Sequence, residues 1–407
     1  MSGVVVPDGW EIKALKDILT IQYGKDQKEV ESEDGKYPIL GSGGVIGYTN
    51  YFLYDQASVL IGRKGTINNP QYMETPFWTV DTLFYSHIKN NNVPKWVYYV
   101  FQSINWNSYN EASGVPSLST SNINKIEILR PPQKEQEKIA KILSALDKNI
   151  ENTNRIIEKE KNIKKALMQE LLTNGIDKNA KIRSPKTHTY KQSKLGLIPE
   201  EWEVVSLIDV TDKNDRYSFT GGPFGSDLKS SDYVDQGVRV IQLQNIGDGE
   251  FKNNDFVYTS EQKAQELFSC QIFPNEIIMS KMGDPVGRAC LILNIEEKFV
   301  MCSDGIRIKV DLNKYDNYFI FLSINNTDFR NSIERVALGS TRKRVGLVEL
   351  KTLKLKMPRH EEQKQIAKIL TTQDKKIETE QKNLSKLQEL KKGLMSDLLS
   401  GKVRVKV

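Results

Sequence analysis

The chain has 407 residues, 38% hydrophobic and 27% charged, the balance of a soluble globular protein long enough for two or three domains. No run of about 18 apolar residues occurs, which argues against a membrane span, and the start MSGVVVPDGW lacks the basic and apolar regions of a secretion signal, so a cytoplasmic protein is expected. The net charge of +6 and the pI near 8.8 suit a polyanionic partner without establishing one.

In chain order, residues 1–130 form a first globular segment that opens with PDGWEIKALKDI at Pro7. The short, β-branched runs ASVLIG and FWTVDTLFYS predict strands, and WVYYVFQSINW predicts a helix. Residues 131–175 then read as one long helix, and 176–197 as a polar, lysine-rich and mobile linker. A second globular segment, 198–357, opens with PEEWEVVSLIDV at Pro199. Its strands are expected at VRVIQLQNI, EIIMSKMG and GIRIKVDL, and a helix at YFIFLSINN. Residues 358–407 read as a second long helix with a C-terminal tail.

The order is a repeat. PPQKEQEKIAKILSALDKNIE from Pro131 returns as PRHEEQKQIAKILTTQDKKIE from Pro358, and 19 of 43 aligned positions are identical without a gap. The helix copies are offset by 227 residues and the opening motifs by 192, so the second globular segment is 35 residues longer than the first. Between those landmarks the two segments look unalike. Apolar residues recur at heptad spacing in both copies. One seam carries Ile139, Leu146 and Leu167, matched by Ile366, Leu387 and Leu394. The other carries Leu143, Ile150, Ile157 and Leu171, matched by Leu370, Ile377, Leu384 and Leu398. Thr153, Glu160, Lys164, Gln373, Glu380 and Lys391 are polar seam positions that can fix register and partner. A narrow apolar stripe this long needs a partner, and the other copy is the simplest one, paired antiparallel. The alternative is that each helix docks on its own domain. The expected fold class is therefore α+β: two globular domains separated by two long helices in an antiparallel coiled coil, with a pseudo-twofold repeat.

No catalytic constellation stands out. Gly41 to Gly47 (GSGGVIG) lacks the spacing of a dinucleotide loop, and Gly62 to Thr66 (GRKGT) that of a phosphate-binding loop. Asn68 to Tyr72 (NNPQY) comes near an amino-methyltransferase motif, but Gln71 breaks it. Cys270, Cys290 and Cys302 have neither CxxC spacing nor nearby histidines, which favours reduced core thiols over a disulfide framework or a metal site. A chain of this kind reads as a binding module rather than an enzyme.

The twice-repeated pattern P…EQ..IA.IL…D..I followed by K..LM..LL resembles the shared regions of type I restriction-modification specificity subunits, the HsdS family. YPILGSGGVIGYTN with VLIGRKGTIN resembles one type of target recognition domain. GGPFGSDLKSSDY, VRVIQLQNIGDGEF and MSKMGDPVGRA resemble another. The one departure is Asn174-Gly175 at the end of the first helix. The resemblance implies that each domain reads one half of a bipartite, asymmetric site in double-stranded DNA. It implies that the helices set the spacer and dock two methyltransferase subunits, with two restriction-translocase subunits joining for cleavage. It also implies that S-adenosylmethionine, ATP and Mg²⁺ belong to those partners, and that this chain holds no cofactor or metal.

Candidate DNA contacts lie in polar, basic loops: Ser42, Tyr48, Arg63, Lys64, Thr66 and Asn68 in the first domain. In the second they are Ser226, Lys229, Ser230, Gln242, Gln244, Asn245, Lys281 and Arg288, then Ser340, Arg342, Lys343 and Arg344 of the cluster STRKR. Arg can pair twice with guanine and Gln or Asn with adenine, whereas Lys and Ser hold phosphate. Trp10 and Trp202 read as core anchors. Two rival readings stay open: a methyltransferase or nuclease with a fused specificity domain, and a coiled-coil adaptor without sequence-specific DNA binding.

Overall fold

A computed structural model describes residues 6–89, 91–340 and 342–406. The chain divides into two compact units, Met1–Ile157 with Thr379–Val407, and Glu158–Glu378. The division falls inside both long helices, Gln133–Thr173 and His360–Leu399, so each unit owns part of each helix.

The first unit is built on a four-stranded sheet in the order Leu19–Tyr23, Leu83–Ile88, Ser58–Gly62, Gln71–Met73. A three-stranded sheet joins Gly44–Thr49, Tyr37–Gly41 and Trp78–Thr79. Pro94–Ser103 is the helix expected from WVYYVFQSINW: Pro94 opens it, and Trp96, Val97, Tyr99, Val100 and Phe101 are buried along it. That helix packs into one core with Leu15, Ile18, Trp106, Ile123 and, from the long helices, Ile139, Leu143, Leu146 and Leu398.

The second unit has a four-stranded antiparallel sheet in the order Phe219–Gly221, Gly305–Ile308, Ile277–Ser280, Ala289–Leu291. A five-stranded sheet runs Tyr233–Val234, Val257–Thr259, Val238–Ile241, Phe299–Met301, Gln271–Ile272, with one parallel pairing between Val238–Ile241 and Phe299–Met301. Asn317–Asn325, the helix expected from YFIFLSINN, starts at Asp316, whose carboxylate accepts from Phe319 N at 2.9 Å. Its Phe319, Ile320 and Leu322 join Leu171, Leu172, Trp202, Ile366 and Leu370 in a single core.

The two four-stranded sheets run in the same order, first, last, second and third in the chain, and beneath them lies a frame made twice. Glu11–Ala14 pairs antiparallel with Glu127–Arg130, and Glu203–Ser206 with Lys354–Met357, each time closing the domain just before a long helix starts. Gln136 accepts from Val93 N at 2.9 Å and donates to Pro131 O at 2.9 Å; Gln363 does the same with Asp316 N and Pro358 O, also at 2.9 Å. Tyr99 donates to Asp147 at 2.7 Å, and Lys391 pairs with the same carboxylate at 2.6 Å. Tyr318 donates to Asp374, which Lys164 pairs at 2.5 Å. Burial, reinforced by the adjacent carboxylate, raises both tyrosine pKa values.

The frame closes on its tryptophans, which are core anchors as expected. Trp10 Nε1 donates to Glu135 at 3.2 Å, and Arg404 forks onto that carboxylate at 2.5 and 3.0 Å. In the second unit Trp202 Nε1 donates to Glu362 at 3.3 Å, and Arg183 forks onto it at 2.5 and 3.0 Å. Gly175, at φ +62°, turns the chain out of the first long helix, and a Cβ there would overlap Glu362, Trp202 and Arg183. Residues 176–197 are therefore not the mobile tether that their composition suggests. Ile176 and Arg183 are buried, and Tyr190–Ser193 pairs with Gly196–Pro199 as a hairpin. The apolar and ionic anchors outweigh the surrounding lysines.

All three cysteines are free thiols; Cys270 and Cys290 are buried, and burial pushes the Cys290 thiol up to about 12. Among the described residues no group of three or more His, Cys, Asp or Glu side chains could hold a metal, and no helix is long and apolar enough to cross a membrane.

Candidate nucleic-acid interface

In the first unit, two turns are drawn together. Strand Ser58–Gly62 delivers Arg63 and Lys64 into a turn held from both sides. Arg63 N donates to Thr82 O at 2.8 Å, Gly65 N to Pro116 O at 2.9 Å, and Leu118 N to Arg63 O at 2.9 Å. The Arg63 guanidinium donates to Asp81 O at 3.1 Å and lies 5.5 Å from the Tyr23 ring. The hairpin tip Gly41–Gly44 sits alongside, with Ser42 Oγ facing Gly65. Gln71, which breaks the methyltransferase-like motif, has a positioning role: its amide donates to Gly41 O at 2.8 Å and holds this tip. Ser42, Arg63, Lys64 and Gly65 thus form one surface, with Lys64 and Thr66 exposed. Tyr48 lies further along strand Gly44–Thr49 and is exposed, beside the exposed Val45 and Ile46. Asn68 is exposed but lines a separate cavity with Gln102, Ser103, Lys391 and Met395, so it is not grouped with Arg63.

In the second unit the organising element is the turn Cys302–Gly305. Gly222 N donates to Gly305 O at 2.8 Å, Lys281 N to Asp304 O at 2.7 Å, and Cys302 N to Ile241 O at 2.8 Å. Arg344 reaches Asp304 Oδ1 at 2.7 Å. The turn therefore gathers the GGPFGS loop, the end of strand Ile277–Ser280, the start of the Gln242 turn and the STRKR cluster. Leu338 and Arg344 exchange backbone hydrogen bonds at 2.8 Å each, and Gly283 N donates to Lys343 O at 3.1 Å. Lys281, Ser340, Arg342, Lys343 and Arg344 are thereby brought together; Thr341 lies outside the described residues. Lys343 pairs with Glu334 at 2.5 Å, whereas Arg342 is exposed and enters no ion pair among the described residues.

The remaining candidates separate by role. Ser226, Lys229 and Ser230 are exposed on the loop after Phe224, where Lys229 N donates to Asp232 at 2.7 Å. Gln244 is exposed and donates to the half-buried Gln242 at 3.1 Å. Asn245 is different: it is 1% exposed. It accepts from Gln242 N at 2.9 Å and donates to Lys252 O at 3.2 Å and Asn254 O at 2.7 Å. It shapes the turn and offers nothing to a partner, because a buried amide must spend its polar groups locally. Arg288 is half-buried behind Gly283, close enough that its charge adds to the burial that lowers the pKa of Arg330. Arg239, which sequence reasoning left out, is buried against Phe256, with its guanidinium 3.3 Å from the ring centroid, and holds Asn253 at 2.8 Å. It is a core cation, not a surface reader.

Residues 7–161 and 199–389 match the family described as Type I restriction modification DNA specificity domain. The chain is 26% identical over its whole length, and over 96% of the relative, to the type I restriction enzyme MjaVIII specificity subunit of Methanocaldococcus jannaschii. It is 29% identical, over 98% of this chain and 95% of the relative, to a putative type I restriction enzyme MjaX specificity subunit from the same organism. Among solved structures, the S subunit of a type I restriction-modification system from M. genitalium superposes with a TM-score of 0.62 at 16% identity. That match covers 98% of this chain and 97% of that one, and shows a shared fold.

Proposed function

The chain belongs to the DNA specificity subunits of type I restriction-modification enzymes, and from that premise we propose that each of its two recognition domains reads one half of a bipartite, asymmetric DNA site. The observation that carries the reading is a frame made twice that bears two domains with the same four-stranded sheet order but unlike loop sequences, each with a basic loop cluster braced by backbone hydrogen bonds. Equal halves would need equal readers; unlike loops call for unlike half-sites. In the first domain the DNA contacts are Ser42, Arg63, Lys64 and Thr66, with Tyr48 further along its strand. In the second they are Lys281, Ser340, Arg342, Lys343 and Arg344, with Gln242 and Gln244. Ser226, Lys229 and Ser230 hold the backbone, and Asn245 drops out as a contact.

The long helices form an antiparallel coiled coil that fixes the number of unread base pairs. Two bridges support this: Asp147 with Lys391 and Lys164 with Asp374, the opposite order that an antiparallel pair requires. On this reading the chain is the non-catalytic component, the helices dock two methyltransferase subunits, and two restriction-translocase subunits join for cleavage. S-adenosylmethionine, ATP and Mg²⁺ are the partners' cofactors.

The test is methylation mapping. The chain is co-expressed with the methyltransferase subunit of its own operon, complex formation is verified, and host DNA is sequenced for methylated adenine. The expected result is a bipartite motif with a fixed gap, absent without this chain. A contiguous motif, or the same methylation without the chain, refutes the proposal.

A further inference from the structure

The most exposed large apolar side chains among the described residues are Phe224, 82% exposed, and Leu338, 79% exposed. They stand on two loops anchored to one turn. Gly222 N donates to Gly305 O at 2.8 Å, and Asp227 N closes the next turn on Phe224 O at 2.9 Å. A Cβ on Gly222 would overlap the Cys302 carbonyl, so this loop lies directly on the Cys302–Gly305 turn. Leu338 is tied on both its N–H and its carbonyl to Arg344, whose guanidinium holds Asp304 at 2.7 Å. Neither residue sits on a frayed end: the backbone braces both tips, and the apolar groups stay in water.

Their surroundings indicate what covers them. Lys281, Arg342, Lys343 and Arg344 lie at or beside the turn, Lys343 and Arg344 already paired with Glu334 and Asp304 and Arg342 exposed, and Lys229 follows on the Phe224 loop. Apolar tips ringed by cations suit a polyanion with an apolar interior, which is a DNA duplex: phosphates outside, stacked bases within. Rigid Phe and Leu side chains inserted at a base step unstack it and kink the helix.

Resting on the DNA-reading function proposed above, we propose that Phe224, flanked by Leu338, is an apolar wedge that opens a base step within the half-site of the second domain. Such a wedge adds selectivity without base-edge hydrogen bonds, because pyrimidine–purine steps unstack most easily. It is a specificity-determining contact that complements the arginines and glutamines.

The experiment uses the full chain in complex with its methyltransferase subunit, and duplexes carrying 2-aminopurine at successive positions of the mapped site. Away from the adenines that the methyltransferase subunits flip and methylate, wild type is expected to raise the fluorescence at one step of the second half-site and at none of the first. Phe224→Ala with Leu338→Ala should abolish that rise and weaken binding to the cognate site by roughly tenfold to a hundredfold. Phe224→Trp should keep both, and melting curves of all variants should match wild type, as exposed positions allow. A double variant that retains the rise and the affinity overturns the wedge while leaving the DNA-reading function intact. Loss of the methyltransferase complex in that variant, with duplex affinity unchanged, also overturns it and assigns Phe224 to a protein contact. A wild-type complex with no sequence preference refutes the DNA-reading function itself.

Discussion

Glu362 offers the sharpest test of the frame. Its side chain is 10% exposed, and that of Arg183, which forks onto it, is 7% exposed. The same carboxylate accepts from Ile176 N at 3.0 Å and from Trp202 Nε1 at 3.3 Å. In Glu362→Ala the guanidinium stays buried with only the longer contacts, 3.4 Å to Glu201 and 3.5 Å to Asn174 O, and two further donors lose their acceptor. Removing one partner of a buried pair costs about 3–5 kcal/mol, because the other charge is stranded away from water. At roughly 2–4 °C per kcal/mol for a unit of this size, we predict a fall in the melting temperature of roughly 6–20 °C. Glu135→Ala is the matched control. Glu135 is 7% exposed, but its Arg404 is 40% exposed and can return to water, so the fall should be smaller. Replacing both Glu362 and Arg183 by methionine should recover much of the loss, since no charge is then left unpaired. Differential scanning calorimetry reads all four proteins. Equal or reversed falls for the two alanine variants would refute the argument from buried charge.

The site gives two further predictions and the core one. Lys64→Ala should flatten the plot of log affinity against log salt by about 0.9 per lost phosphate contact, alike on cognate and random duplexes. Arg63→Ala should instead lower discrimination at one base of the first half-site; an unchanged salt slope and unchanged selectivity would remove both residues from the interface. For Cys290, burial lifts the thiol to about 12, so the unfolded chain loses this proton at lower pH than the folded one. Between about pH 9 and 12 wild type should therefore lose stability, by up to about 1.4 kcal/mol per pH unit, relative to Cys290→Ala. Urea denaturation at pH 8 and pH 10 checks the sign, and a difference between the two proteins that does not change with pH contradicts it.

The helical frame was legible because a duplicated heptad pattern encodes it locally, turn by turn. Gln133–Thr173 and His360–Leu399 occupy the repeated segments. Short β-branched runs marked Ser58–Gly62, Ile277–Ser280 and Gly305–Ile308 for the same reason. What composition hid is long-range. Arg183 sits in a lysine-rich stretch that reads as a tether, yet its partner Glu362 lies 179 residues away. Asn245 looks like a reader in QLQN, yet the backbone of its own turn consumes its amide. Arg344 belongs to the densest basic cluster, yet Asp304, forty positions earlier, fixes its direction. The parallel pairing of Val240 with Val300 has no local signal at all.

The two units divide their labour between frame and loops. Ion pairs, tyrosines and glutamines recur at equivalent places in both frames, the glutamine contacts at 2.9 Å in each and the lysine–aspartate pairs at 2.5 and 2.6 Å. The four-stranded sheets of the two units share strand number and order, first, last, second and third in the chain, whereas the second sheet has three strands in one unit and five in the other. In the second unit the three-stranded arrangement of the first is widened to five strands by Tyr233–Val234 and Gln271–Ile272 at its edges, and its apolar residues join small clusters of their own, Val238, Val240 and Ala264 in one, Ile241, Ile272 and Phe299 in another. That sheet therefore stabilises itself largely without the frame's core of Trp202, Leu171 and Leu370. Physically, a reading surface can be enlarged or replaced without disturbing the pairs that hold a domain to its helices. Two such surfaces can then diverge in one chain while their supports stay alike, because the energy that fixes the support is spent far from the loops that face a ligand.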